Sequence, residues 1–168
     1  ISIHDKRIIE SLKLPSFFIA IVIGGEWEYR SYKYWAKVVE KLIAKDKNLH
    51  IILLGSNNAK EIEGEILSKF KTPNLISYVA KFTFNQTAQI ISQSNFLFCC
   101  DGGLMHAAIA LDTKIIPLFA RLEPEMQLTI SSKAFPLFDL FDVNNILVED
   151  IIQNYSEATN SDHNHLLS

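Results

Sequence analysis

The sequence has few of the features that identify several common protein classes. Only two of its 168 residues are cysteines, the adjacent Cys99 and Cys100, so neither a disulfide framework nor a metal site with paired cysteine ligands fits it. Two thiols in an apolar stretch are typical of buried, reduced cysteines in the cytoplasm. The six glycines nowhere form a Gly-x-Gly-x-x-Gly fingerprint, which argues against a nicotinamide cofactor.

A basic excess and long apolar runs are also missing. The chain has 16 Lys and Arg against 19 Asp and Glu, and its net charge of −3 does not favour nucleic-acid binding. The apolar runs at 17–23 and 96–100 are far shorter than the roughly 20 residues of a membrane-spanning helix. The content of hydrophobic residues, 48%, is nevertheless enough for a sizeable core. We therefore expect a folded domain in the cytoplasm.

Apolar runs typical of buried strands alternate with segments of helical periodicity. This order predicts an α/β fold, with a parallel sheet covered by helices on both faces. We assign 15–155 to this domain, 1–14 to a linker or short helix, and 156–168 to a disordered tail. The predicted strands are 17–23, 49–54, 75–78, 96–100, 114–119 and one near 146–148, and the predicted helices are 32–44, 59–70, 85–94, 104–111 and one that begins near Asp150.

The most informative segment is 95–111. An apolar strand ends there in Asp-Gly-Gly, and a helix of small residues begins at once from Leu104. Open α/β sheets bind ligands at such strand ends, and the unpaired N–H groups of a helix N-terminus suit a phosphate. The two glycines would let a ligand approach the backbone closely. Asp101 is either a ligand contact or a helix N-cap, and His106 is either a donor to a phosphate or sugar oxygen or a solvated side chain.

The loop after the first predicted strand holds a second set of candidates. Gly24 and Gly25 end the strand, and Arg30 and Lys33 follow among five aromatic residues. The basic side chains either form a solvated face over a packed aromatic stripe or neutralise the charge of a diphosphate.

The residues of 101–111, Asp-Gly-Gly-Leu-Met-His-Ala-Ala-Ile-Ala-Leu, resemble the Asp-Ser-Gly-x-x-His-x-x-Ala-Ala-Leu signature of the heptosyltransferases, glycosyltransferase family 9. The similarity extends from about Phe17 to Pro124 and includes 79–84, which resembles the family's Gly-Lys-Thr-x-Leu stretch. The resemblance implies one half of a GT-B enzyme, in which two Rossmann-like domains face a cleft. This chain would be the C-terminal domain, which binds the nucleotide sugar.

The resemblance also implies an activity. The family adds ADP-activated heptose to the inner core of bacterial lipopolysaccharide by inverting transfer, and we expect no obligatory metal or cofactor. The acceptor site and the general base are implied to lie in an N-terminal domain that this sequence does not contain, so a longer enzyme is expected. Peripheral contact with the inner membrane is left open.

The donor-binding residues that the resemblance implies come from several loops. Phe82 would flank the adenine, the loop after Gly55 would reach the ribose, and the helix N-terminus at 103–104 would meet the diphosphate. The full set of expected donor-binding residues is Gly24, Arg30, Asn57, Lys81, Phe82, Asp101, Gly102, Gly103, Leu104 and His106.

The sequence departs from the family pattern at four places. Gly102 stands where the family has Ser or Thr, Ala80 where it has Gly, and Ser56-Asn57-Asn58 where an acidic residue is common. Glu28 stands at the position of a phosphate-binding Lys, for which Arg30 or Lys33 could substitute.

Two alternatives stay open, the first of them because of these departures. One is a degenerate, non-catalytic transferase domain that acts as a nucleotide-binding or assembly module. The other is an epimerase-like or other nucleotide-binding enzyme, for which only the Tyr29 and Lys33 spacing offers a Tyr-x-x-x-Lys pair.

Overall fold

The computed structural model describes residues 2–121 and 133–167, with side chains described up to residue 160. Pro124, at the end of the family resemblance, lies outside this part. The described strands are β1 Ile19–Val22, β2 Ile51–Leu54, β3 Leu75–Ser77, β4 Phe96–Cys100, β5 Ile115–Ala120 and β6 Leu137–Asp139. The described helices are α1 Ile3–Ser11, α2 Trp35–Lys45, α3 Lys60–Lys69, α4 Phe84–Gln93, α5 Gly103–Ala110 and α6 Val148–Leu167.

The strands form one parallel sheet in the order β3-β2-β1-β4-β5-β6. β1 lies at its centre, where Ile19 pairs with Ile51 of β2 on one side and with Phe96 of β4 on the other. Because all pairs are parallel, the carboxyl ends of the strands meet at one edge. This architecture confirms the predicted α/β fold.

Helices cover both faces of the sheet, as the continuous apolar strands predict. Alternate side chains of β1 face opposite ways: Ile19 and Ile21 belong to one buried cluster and Ala20 to the other. The first cluster is closed by α2, α3 and α6, and the second by α1, α4 and α5. None of the described helices combines the length and the apolar character that crossing a membrane requires.

The prediction of a last strand near 146–148 is wrong. The sixth strand is Leu137–Asp139, and 143–145 forms a single 3-10 turn before α6. Val143 and Ile146 are buried as side chains of this connection, and the Ile146 carbonyl accepts a hydrogen bond from the Tyr32 hydroxyl at 2.8 Å. Strand Leu137–Asp139 directly follows Pro136. An edge strand tolerates a proline there, because the backbone groups on its outer side need no partner strand.

The expected disordered tail is also corrected. Helix α6 continues through 156–160 and extends to Leu167. Ile151 and Ala158 are buried on one side of this helix, and the Tyr155 ring packs edge-on against Phe96 with centroids 5.2 Å apart. The polar composition of the segment concealed this face, since a few apolar residues at helical spacing are enough to dock a helix.

Candidate functional site

A cleft of about 640 Å³ opens at the carboxyl ends of β1, β2 and β4. Three connections form its walls, the loops after β1 and β2 and the turn between β4 and α5, together with the first residue of α4. Its position follows from the strand order, because the chain turns to opposite sides after β1 and β4 and leaves a crevice between the two connections.

The N-terminus of α5 faces this cleft without a side-chain cap. Gly102 is the N-cap residue, and no side chain accepts a hydrogen bond from the first turn at this position. Asp101 therefore lies one residue before the cap and does not fill the capping role that the sequence left open. The first N–H groups of α5, together with the positive end of its dipole, are available to an anion in the cleft.

The Asp101 carboxylate lies between two groups that can carry positive charge. Its Oδ2 is 3.4 Å from Nη1 of Arg30, and its Oδ1 is 3.7 Å from Nε2 of His106. The carboxylate is only 6% exposed, whereas the side chain of His106 is 52% exposed and that of Arg30 27%. Asp101 therefore holds the guanidinium, and the imidazolium when His106 is protonated, at the mouth of the helix N-terminus.

Arg30 is fixed from a second side by Tyr29. Its guanidinium carbon lies 5.6 Å from the centre of the Tyr29 ring, and that of Arg121, at the end of β5, lies 3.8 Å from the same ring. The Nε of Arg30 is buried and has no hydrogen-bond partner within the part of the chain that the structure describes. A buried N–H of a charged group without an acceptor is unfavourable, so an anion that accepts from it would be favoured.

The glycines that line the cleft differ in how much space a side chain would have at their positions. Gly24 has a φ of +89°, and a Cβ there would lie 2.8 Å from Oδ1 of Asn58, so this glycine lets the ends of β1 and β2 approach. Gly102 has an extended backbone, and a Cβ there would meet no atom within 4 Å. Packing within the described chain therefore does not require a glycine at position 102, and the space in front of its backbone is open. At Gly103 a Cβ would lie 3.3 Å from the Phe84 ring.

The structure brings most of the predicted site residues together. Seven of the ten line the cleft: Gly24, Arg30, Asp101, Gly102, Gly103, Leu104 and His106. It also distinguishes the two basic candidates of the first loop, because Lys33 is exposed and does not line the cleft.

Lys81, Phe82 and Asn57 do not line the cleft. The Phe82 ring packs edge-on against Tyr78, with centroids 5.4 Å apart, and contributes to the core beneath α4. Lys81 is exposed, with its ammonium 6.0 Å from the centre of the Tyr78 ring. Asn57 begins a 3-10 turn, and the residues on either side of it, Ser56 and Asn58, border the cleft instead. The cleft geometry gives no support to a donor contact at these three positions.

The cleft also contains Trp27, Ser56, Asn58 and Phe84, which are outside the predicted set of donor-binding residues, although the resemblance implied a role for the loop after Gly55. Trp27 and Phe84 are each 55% exposed, so both present aromatic surface to the cleft. A signal for Ser56 and Asn58 was present, since they follow the Gly55 turn at the end of a buried strand. For Phe84 the signal was an aromatic residue directly after a Thr that fits a helix N-cap.

The thiols of Cys99 and Cys100 lie at the end of β4, and neither is a nucleophile at physiological pH. Burial raises the pKa of the Cys100 thiol to about 12 and also raises the pKa of Cys99 well above its ordinary value. Both are therefore neutral thiols at physiological pH. Among the described residues, no three His, Cys, Asp or Glu side chains are grouped so that they could hold a metal ion.

Comparison with known proteins relates the fold to a family. The family model described as glycosyltransferase family 9 (heptosyltransferase) matches residues 11–137. A comparison with curated protein sequences finds no significant match.

Several solved structures share the fold of this chain. Escherichia coli ADP-heptose lipopolysaccharide heptosyltransferase II matches with a TM-score of 0.78 and 20% identity, over 97% of this chain and 53% of that one. A glycosyltransferase family 9 protein from Veillonella parvula matches with a TM-score of 0.77 and 16% identity, over 92% and 50%. E. coli heptosyltransferase WaaC with ADP matches with a TM-score of 0.73 and 17% identity, over 90% and 48%.

These identities are low and show a shared fold, and this chain spans about half the length of each of these proteins. The family model, in contrast, covers more than half of the chain, including both β1 and the Asp-Gly-Gly turn. The chain thus belongs to glycosyltransferase family 9, the heptosyltransferase family, and has the Rossmann-like fold of a GT-B glycosyltransferase domain.

Proposed function

We propose that this chain is the donor-binding half of an inverting glycosyltransferase and that its cleft binds a nucleoside diphosphate sugar. The observation that carries the proposal is the uncapped N-terminus of α5, which faces the cleft beside the guanidinium of Arg30. Helix N–H groups and an arginine fork are both suited to phosphate oxygens.

The cleft residues have distinct parts in the proposed reaction. An acceptor hydroxyl oxygen attacks the anomeric carbon while the bond from that carbon to the diphosphate oxygen breaks, and the electron pair stays on the diphosphate. The N–H groups of α5 and the guanidinium of Arg30 stabilise the charge that develops there. Asp101 keeps Arg30 and His106 in place. We assign the base that takes the acceptor proton to a part of the enzyme outside this chain.

We propose ADP as the nucleotide and a heptose or hexose as the sugar. The support is that E. coli WaaC, which shares the fold and family, has been solved with ADP and with an ADP-2-deoxy-2-fluoro heptose. Under this proposal a saccharide of the lipopolysaccharide-core type is the acceptor.

Titration of the purified chain with ADP by calorimetry tests the proposal. We expect saturable binding of one ADP per chain in the range up to millimolar, and much weaker binding of adenosine, which lacks the phosphates. His106→Ala should weaken ADP binding, whereas His4→Ala, a change at an exposed residue of α1, should not. Absence of ADP binding at millimolar concentration would contradict the proposal.

A further inference from the structure

Phe84 is an exposed aromatic ring at the wall of the cleft. It is 55% exposed although it adjoins the buried core of α4, and it lines the same cleft as the N-terminus of α5. A large exposed apolar side chain inside a concave, partly polar site is more typical of a ligand contact than of a scattered surface residue.

The backbone of Phe84 is held rigidly. It is the first residue of α4, and the capping box of Thr83 and Gln86 fixes this end of the helix. The Gln86 N–H donates to Oγ1 of Thr83 at 3.2 Å, and the Thr83 N–H donates to Oε1 of Gln86 at 3.1 Å. Such a reciprocal cap limits fraying, so the ring is preorganised for contact.

The Phe84 ring lies directly beside the proposed phosphate position. Its Cε2 atom is 3.3 Å from the point that a Cβ on Gly103 would occupy. Gly103 is the first residue of α5, whose N-terminus has no side-chain cap and borders the cleft. If a phosphate binds at this helix end, a planar group that is linked to it through one sugar would therefore lie within reach of the Phe84 ring.

We propose that Phe84 stacks on the nucleobase of the bound nucleotide and that it, rather than Phe82, is the base-contacting aromatic residue of this protein. The inference rests on the proposed function, since it requires a nucleoside diphosphate in the cleft. Stacking suits a nucleobase because every base has a flat π-face.

The distribution of polar groups favours the base over the transferred sugar as the partner of Phe84. Helix α4 comes from β3, on the side of the sheet where β2 delivers Ser56 and Asn58, which are neutral and joined by a 2.9 Å hydrogen bond. Neutral hydroxyl and amide groups fit the hydroxyls of a ribose. The ionisable groups Arg30 and His106 instead flank Asp101 in the turn after β4, at the proposed position of the diphosphate.

Calorimetry with two probes, ADP and inorganic pyrophosphate, separates base stacking from phosphate binding. Phe84→Ala should lower the affinity for ADP by about 5-fold or more and change the affinity for pyrophosphate by less than about twofold. Phe84→Leu should restore only part of the lost ADP affinity, because leucine covers the helix end without offering a π-face. Phe17→Ala is the matched control: this ring is similarly exposed, at 48%, but lies at the opposite edge of the sheet, and both affinities should stay unchanged.

Three outcomes would overturn the inference: unchanged ADP affinity in Phe84→Ala, an equal loss for ADP and pyrophosphate, or full recovery in Phe84→Leu. Equal losses would show that the ring only shields the helix N-terminus. Failure of the unmodified chain to bind either probe would instead overturn the proposed function, so the two failures are distinguishable. Circular dichroism of each variant checks that the exposed ring is not needed for folding.

Discussion

The guanidinium of Arg30 lies 3.4 Å from the carboxylate of Asp101, although the two residues are 71 positions apart in the sequence. The contact joins the loop after β1 to the turn after β4, across the centre of the sheet. It also selects between the two basic residues of the first loop, because Arg30 lines the cleft and Lys33 does not. An acidic and a basic group thus meet in front of a helix N-terminus, where a phosphate would compete for the same guanidinium.

Replacement of this guanidinium should weaken binding of the diphosphate. We expect Arg30→Gln to lower the affinity for ADP and for pyrophosphate by about tenfold or more, since a hydrogen bond to a charged group contributes about 1.5–3 kcal/mol. Lys33→Gln removes the same charge three residues later and should have little effect at physiological salt. Calorimetry measures both. Equal losses in the two variants would indicate a general effect of net charge and not a contact at Arg30.

The open space at Gly102 makes a gain of affinity testable. Because the backbone there is extended and a Cβ would meet nothing within 4 Å, Gly102→Ser should fold normally and place a hydroxyl at the N-cap of α5. We expect the hydroxyl to donate to the diphosphate and ADP binding to tighten by about tenfold or more, since a hydrogen bond to a charged group contributes about 1.5–3 kcal/mol. Gly102→Ala adds the Cβ without the hydroxyl and is the control. If both variants bind alike, the hydroxyl is not used.

The backbone of Ala80 has a conformation that is unfavourable for alanine. Its φ is +58°, a left-handed conformation that glycine adopts without the Cβ penalty. Ala80→Gly should therefore raise the free energy of unfolding by about 1 kcal/mol, measured by urea denaturation. Ala110→Gly, in the last turn of α5, is expected to lower it, because glycine is the poorer helix former. A loss of stability in Ala80→Gly would contradict the assigned conformation.

The cysteines should react slowly while the protein is folded. With the pKa of Cys100 near 12 and that of Cys99 also raised, the reactive thiolate is scarce at pH 8, and both side chains are buried. We expect labelling by iodoacetamide at pH 8 to be slow in the native protein and fast in urea. Lys33→Cys introduces an exposed thiol and should label quickly under native conditions. Fast labelling of Cys100 in the native chain would show that the end of β4 opens.

The local pattern predicted the sheet well because its strands are buried on both faces. The strand predicted at 96–100 has these bounds in the structure, and the strand predicted at 49–54 is Ile51–Leu54. The missed strand, Leu137–Asp139, lies at the edge of the sheet and leaves Phe138 exposed, so its sequence lacks the apolar signal of a central strand. The end of α6 was missed for a related reason, since a docked helix needs only one apolar stripe.

The sequence by itself determined the alternation of strands and helices and the turn from Asp101 to Gly103, because both depend on residues close together in the chain. The tertiary structure alone decided that Arg30 and not Lys33 reaches Asp101, and that Phe84 and not Phe82 enters the cleft. These choices depend on how loops from different strands meet at one edge of the sheet. These contacts depend on the packing of residues that are far apart in the sequence, and neither periodicity nor a local motif predicts such packing.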